Sequence, residues 1–238
     1  MNKFITPVSG FCLCYNKQNL LESAIIQIQS VAENWSLKFM SLSLPSNVQN
    51  EVEQLAQCYG QPVVRTVDLH TNELFDPLNK IDRYGEVCMV VRRPNGRLLT
   101  MTKTHYPPNS YRLPTGGINH GEAILAALLR ETQEETGLQV EVKRFLAIAA
   151  YRITDASDMP VFYTFALLLD ELGGTLGAID EDEQVAGFLE VEPADLPRLA
   201  DELDHLGQQF SAELGTSWGP WGQFRAVIHR LVYEALLP

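Results

Sequence analysis

Three glutamates, Glu131, Glu134 and Glu135, fall in the stretch GEAILAALLRETQEETG at positions i, i+3 and i+4. If that stretch is helical, the three carboxylates share one face and converge. Their mutual repulsion costs stability, and the helix dipole disfavours anions near a helix C-terminus. A charged helix end is ordinarily just a solvated surface. Here a divalent cation offers a better account, because hard ions such as Mg2+ or Mn2+ take carboxylate oxygens and remove the repulsion.

Residues upstream fit that chemistry. Gly116 and Gly117 make a turn whose backbone carbonyls can approach a cation without side-chain obstruction. Gly121 and Glu122 open the helix, with the acid where the dipole favours it. Arg130 follows Glu122 by a little over two turns, placed to pair with it or to hold a neighbouring carboxylate. Apolar Ile124, Leu125, Leu128 and Leu129 form a stripe expected opposite the carboxylates, and Gly137 stops the helix.

In register, these residues are Gly116, five residues, Glu122, seven residues, Arg130-Glu131, two residues, Glu134-Glu135, one residue, Gly137 and Leu138. That pattern resembles the signature of the Nudix hydrolases, and all seven of its fixed residues are present. Two departures are mild: Thr132 takes a position that is usually aliphatic, and Thr115 replaces a glycine often seen before Gly116. The resemblance covers roughly residues 82–200.

The resemblance implies an α/β/α sandwich around a mixed sheet, with a loop–helix–loop that binds Mg2+ or Mn2+. It implies Glu131, Glu134 and Glu135 as metal ligands, with the Gly116 carbonyl as another. Glu122 and Arg130 would orient the helix and its carboxylates, supported by Gly117, Gly121 and Gly137. Many relatives add an acid from a later loop as ligand or base. The run IDEDEQ offers Asp180, Glu181, Asp182 and Glu183; nothing in the sequence separates the four, and we take Glu183 as the candidate.

The implied reaction is hydrolysis of a pyrophosphate bond in a nucleoside diphosphate derivative, giving a nucleoside monophosphate and a phosphorylated remainder. Divalent ions neutralise the phosphate oxygens and acidify the attacking water. Glu131 or the later-loop acid takes its proton, so Glu131, Glu134, Arg130 and Glu183 form the expected catalytic group. Lys103, His105 and Arg112 are candidate phosphate contacts, although lone residues of these types are more often structural. Tyr106, Tyr111 and Tyr151 could stack on a base, but half-buried aromatics more often pack, and they stay unassigned; Trp218 and Trp221 are read as anchors of the C-terminal segment.

Other classes fit less well. A regulatory nucleotide or ADP-ribose sensor on this fold tends to lose carboxylates of the signature, and so do isomerase or glycosylase variants. None is lost here. The motifs that mark NADH-, coenzyme A- or ADP-ribose-specific members do not single out a substrate.

The elements that position these residues can be read from periodicity. EVCMVVRR and RLLTMTK flank PNG and predict a hairpin. THYPPNSYRLPTGG is a proline-interrupted loop, LQVEVKRFLAIAAYRIT and PVFYTFALLLD are strands, and VAGFLEV is a short strand. EPADLPRLA begins a helix, and WGPWGQFRAVIHRLVYEALL is an amphipathic one.

Residues 1–80 read as a small α/β region for dimerisation or for covering the site. In it, NLLESAIIQIQSVAENW has helix-compatible spacing, though Ile25, Ile26 and Ile28 could equally serve a strand; a helix is expected in PSNVQNEVEQLAQCYG, and strands in SLKFMSLSL and PVVRTVDL. Residues 81–200 form the catalytic domain, and 201–238 a helical extension that packs on the body or on a partner.

With 238 residues and 45% hydrophobic content the chain can bury a sizeable core. A net charge of −12 argues against a nucleic-acid polymer as partner. No apolar run is long enough for a membrane span. Cys12, Cys14, Cys58 and Cys88 lack zinc-finger spacing and read as free thiols in a reducing cytoplasm. The expected partner is a small nucleoside diphosphate-type substrate, with a homodimer as a further expectation.

Overall fold

The apolar periodicities produce a mixed seven-stranded sheet with helices on both faces. The computed structural model describes residues 42–71, 75–154, 159–180, 183–212 and 214–237, all within one compact unit, Leu42–Pro238. The helix-compatible stretch around 19–35, most of the strand expected at 36–44, Cys12, Cys14, Glu181 and Asp182 lie outside the described residues.

In chain order the elements are α1 (Ser46–Tyr59), β1 (Val63–Leu69), β2 (Arg83–Arg92), β3 (Leu98–Lys103), β4 (Thr115–Asn119) and α2 (Ile124–Thr136). There follow β5 (Leu138–Ile153), β6 (Phe162–Gly174), β7 (Val185–Val191), a 3-10 turn (Pro193–Asp195), α3 (Leu196–Asp204), the short β8 (Phe210–Ser211) and β9 (Thr216–Ser217), and α4 (Trp218–Leu236). The sheet runs β1-β5-β6-β2-β3-β7, with β4 also paired to β2. The pairs β1/β5 and β2/β6 are parallel and the others antiparallel. β1 thus enters the main sheet, so residues 63–69 share the body of the signature segment.

The hairpin at PNG forms, with Gly96 at φ 88° and Arg92 opposite Leu98. Beyond that point β3 leaves β2 and pairs with β7 along its length. The gap beside β2 is filled by β4, which pairs Val87 with Gly116. The expected loop 104–117 therefore ends as a strand, and that strand presents Gly116 to the helix that follows.

Strand pleating sends alternate residues to opposite faces. Cys88, Val90, Ala147, Ala149, Tyr151, Ala166 and Leu168 join Leu199, Leu203, Phe224, Ile228 and Val232 of α3 and α4 in one core. Val87, Met89, Phe165 and Leu167, also buried, face the other side, where α2 packs on β2 and β5. The C-terminal helix packs on the body: the Phe224 ring lies 4.5 Å from that of Tyr151. Among the described residues no helix is long and apolar enough to cross a membrane.

The leucine stripe of α2 differs from expectation in one respect. Its buried face is Ile124, Ala127, Leu128, Glu131, Thr132 and Glu135, while Leu129 is exposed. Glu131 lies three residues beyond Leu128 and Glu135 seven, so both carboxylates continue the apolar stripe rather than opposing it. Two of the three signature acids are therefore buried. Thr132, at the usually aliphatic position, is buried too, its hydroxyl donating to the Leu128 carbonyl at 2.6 Å.

Candidate functional site

Arg130 organises the start of the site. Its Nε and Nη2 donate to Glu122 at 2.8 and 2.9 Å, and Nη2 also donates to the Gly117 carbonyl at 3.0 Å. Its Nη1 reaches Glu131 and Glu134, each at 2.9 Å. These charge-assisted bonds tie the β4 turn to the helix. The hydrogen bond from Arg130 holds Glu122 below its ordinary pKa, although burial opposes it. Glu122 precedes the first helical residue and accepts the Asn119 backbone N–H at 3.0 Å. Gly121, at φ 79°, makes the turn between them.

The far end of α2 recruits the later loop. Helix C-termini leave carbonyls without intrahelical partners. Here Ile179 N–H donates to the Glu134 carbonyl at 2.8 Å and Gly177 N–H to the Thr136 carbonyl at 3.0 Å. Gly137, at φ 68°, closes the helix, and a Cβ there would overlap the Thr175 and Gly177 carbonyls. On its other side the loop is fixed by the Thr104 N–H, which donates to the Gln184 carbonyl at 2.9 Å. Between these two anchors sits Glu183.

The result is a cluster of Glu131, Glu135 and Glu183, each offering a carboxylate oxygen within 4.8 Å of the others. Glu134 is not in it; its carboxylate is half exposed and held by Arg130. Lys103 Nζ stands among the three, 2.8 Å from Glu183 and 3.4 Å from Glu135. Burial pushes the Glu135 carboxyl up to about 7 against the pull of Lys103 and Arg112, helped by repulsion from Glu183 and Glu131. Burial also raises Glu131, with Arg130 opposing it. Glu183 is held below its ordinary range, the hydrogen bond and charge of Lys103 outweighing its burial.

Two observations test whether the cluster suits a divalent cation. Glu135 Oε2 is buried and has no hydrogen-bond partner. A Cβ at residue 116 would overlap the Glu131 carboxylate, so only glycine lets that group lie there. Three hard oxygen donors around a buried, unsatisfied carboxylate fit Mg2+ or Mn2+.

The cluster opens into a polar cavity of about 260 Å3, which Lys103, His105, Arg112, Gly116 and Gly117 also line. Arg112 is buried, donating to the Leu113 carbonyl at 2.8 Å, to the Thr115 hydroxyl at 3.1 Å and from Nε to the Tyr106 hydroxyl at 2.9 Å. His105 Nδ1 lies 3.2 Å from the Gln184 side-chain oxygen, and its ring stacks on Trp218.

Several lining residues escaped the sequence reading: Lys80, Arg83, Glu86 and Arg225. Two of them carried a signal. Glu86 is an acid inside the apolar strand EVCMVV, and Arg225 interrupts the apolar stripe of Trp221, Phe224 and Ile228 on α4. A charge at a core position is the informative exception in such a pattern.

Comparisons with known proteins show the family. The NUDIX domain model matches residues 83–213, more than half of the chain. An ADP-ribose pyrophosphatase from Methanocaldococcus jannaschii is 30% identical over 148 residues, covering 62% of this chain and 80% of that protein. An RNA pyrophosphohydrolase from Baumannia cicadellinicola is 36% identical over 74 residues, 30% of this chain and 45% of that protein. Among solved structures, an ADP-ribose pyrophosphatase from Streptococcus suis matches with a TM-score of 0.39 and 16% identity, over 63% of this chain and 90% of that one. On the family match and the Methanocaldococcus jannaschii relative, the chain belongs to the Nudix superfamily and is a hydrolase of its pyrophosphohydrolase class.

Proposed function

We propose that the protein hydrolyses the pyrophosphate bond of a nucleoside diphosphate derivative in a divalent-metal-dependent reaction, with ADP-ribose the first substrate to test. The observation that carries this reading is the convergence of Glu131, Glu135 and Glu183 beside a cavity lined by cationic side chains. The name of the Methanocaldococcus jannaschii relative supports ADP-ribose as the starting point.

In this reading Glu131, Glu135 and Glu183, with the Gly116 carbonyl, hold Mg2+ or Mn2+. The ion supplies charge neutralisation at the phosphate oxygens and a more acidic attacking water. Glu183 is the most exposed of the three carboxylates and takes the water proton as the oxygen attacks phosphorus. The anhydride P–O bond breaks, and its electrons leave with the departing phosphate. Arg130 is a positioning residue that holds Glu131 and Glu122, and Glu134 stays with it. Arg112 and His105 offer donors to substrate phosphate oxygens from the cavity wall.

The test is phosphomonoester release, read with a coupled phosphatase, from a panel of nucleoside diphosphate derivatives led by ADP-ribose. Metal-dependent turnover of one compound by wild type, lost in Glu135→Gln, is the expected result. No turnover across the panel, with the protein folded and Mn2+ bound, would sink the hydrolase reading.

A further inference from the structure

Helix α4 begins after residue 213, where the family match ends, yet its Trp221 and Arg225 line the cavity that holds the carboxylate cluster. Arg225 is buried and makes all three of its hydrogen bonds from Nη1: to both Glu86 oxygens at 2.7 and 2.8 Å, and to the Thr115 hydroxyl at 2.9 Å. The same hydroxyl accepts from Arg112 at 3.1 Å. Thr115 is the residue that departs from the glycine usual in the signature, and it is where two buried guanidinium groups meet.

The charges there do not balance. Glu86 is the carboxylate paired with Arg225. Arg112 has no carboxylate within ion-pair distance among the described residues; its acceptors are a phenol, a carbonyl and a hydroxyl. Arg225 Nε is buried with no hydrogen-bond partner, its guanidinium lying 4.9 Å from the centre of the Phe224 ring and 5.7 Å from that of Trp221. A buried guanidinium with an unfilled donor, as at Arg225 Nε, or with no carboxylate beside it, as at Arg112, is costly unless an anion completes it. Lys80 and Arg83 line the same cavity.

We propose that Arg112 and Arg225, joined through Thr115, form an anion subsite that grips the phosphoryl group of the diphosphate that is not attacked. This rests on the hydrolase reading for the identity of the ligand. The subsite requires substrates in which both phosphoryl groups enter the cavity, one at the carboxylate cluster and the other at the paired arginines. It makes α4 part of the active site, although α4 lies outside the matched family segment.

The probes are inorganic pyrophosphate and inorganic phosphate, titrated calorimetrically into metal-free protein, together with KM for whichever panel substrate turns over. Glu86→Gln/Arg225→Met removes the pair together, so no buried charge is left without its partner. Pyrophosphate affinity is expected to fall about tenfold or more, with KM rising in parallel and Mn2+ affinity retained. Arg225→Lys keeps a charge opposite Glu86 while losing the planar donor fork, and the same direction of change is expected should the double variant not fold. Thr115→Gly restores the usual glycine and is expected to weaken pyrophosphate binding as well.

Pyrophosphate affinity within about twofold of wild type in the folded variants would overturn the subsite. Weakened anion binding with unchanged KM would overturn its assignment to the substrate and identify a site for free phosphate instead. Wild type that binds pyrophosphate through Arg225 yet hydrolyses no compound sinks the hydrolase reading while keeping the anion site.

Discussion

The backbone N–H of Leu113 donates to Nε2 of His229 at 2.9 Å, joining the loop before the signature to the C-terminal helix. The other ring nitrogen, Nδ1, lies 2.8 Å from the Arg225 carbonyl. That pair of partners fixes a neutral imidazole with its proton on Nδ1. His229 thus bonds the backbone of Arg225 and of Leu113, the residue after Arg112, and both arginines line the cavity.

This bond makes stability depend on pH with a definite sign. Burial pushes the His229 pKa from an ordinary 6.5 down to about 4, with Arg112, Arg225 and Arg230 adding to the effect and the Arg225 carbonyl opposing it. The unfolded chain therefore binds a proton that the folded one refuses. The contribution is complete above about pH 6.5 and is lost as pH falls toward 4. Thermal melts of wild type and His229→Gln across that window check it: the difference between them should shrink as pH drops. At pH 7.5 the substitution is expected to cost about 1–3 kcal/mol, because the Leu113 N–H loses its acceptor.

The cluster geometry separates Glu135 from Glu134. Glu135→Gln should weaken Mn2+ binding about tenfold or more, since it removes a charged donor from the buried set. Glu134→Gln should weaken it less, because that carboxylate is occupied by Arg130. Mn2+ titrations followed by electron paramagnetic resonance rank the two, and equal losses would place Glu134 among the ligands.

Lys103 is the cation that the carboxylate cluster already contains. With Lys103→Met, repulsion among Glu131, Glu135 and Glu183 loses its screen. The metal-free protein should melt at a lower temperature than wild type, and added Mn2+ should raise its Tm by more than it raises that of wild type. A smaller rise would show that Lys103 assists the ion rather than substituting for it.

Gly137→Ala tests the link between helix end and loop. The residue holds φ 68°, and a methyl group there would meet the Thr175 and Gly177 carbonyls. A loss of about 1–3 kcal/mol in denaturant unfolding is expected from the backbone strain. Displacement of the loop should also weaken Mn2+ binding through Glu183. A stability loss with unchanged metal affinity would mean that Glu183 is not carried by this anchor.

Much of this was legible because spacing alone specifies which residues share a helix face. The signature residues followed from their resemblance to a known family, the hairpin at Gly96 from its turn residues, and strands β5 to β7 and the amphipathic α4 from local periodicity. Non-local facts did not. That Glu131 and Glu135 are buried follows from their phase relative to Leu128, which becomes decisive only once α2 packs on the sheet. Of the four acids at 180–183, the described residues include Asp180 and Glu183; Glu183 joins the cluster, its loop tied by backbone bonds to the end of α2, and no side-chain pattern reports such bonds. The ion pair of Arg225 with Glu86 joins residues 139 apart in sequence, and no local pattern connects the two, so both were missed.

That last separation has a consequence for synthesis. Glu86 is translated 139 residues before Arg225. At the usual ribosomal pace the interval is roughly ten seconds or more. Throughout it the central strand carries an acid destined for burial whose counter-charge does not yet exist. Closing the sheet over Glu86 before α4 emerges would bury its carboxylate without Arg225, a cost that favours leaving this strand open to solvent until the C-terminal helix arrives.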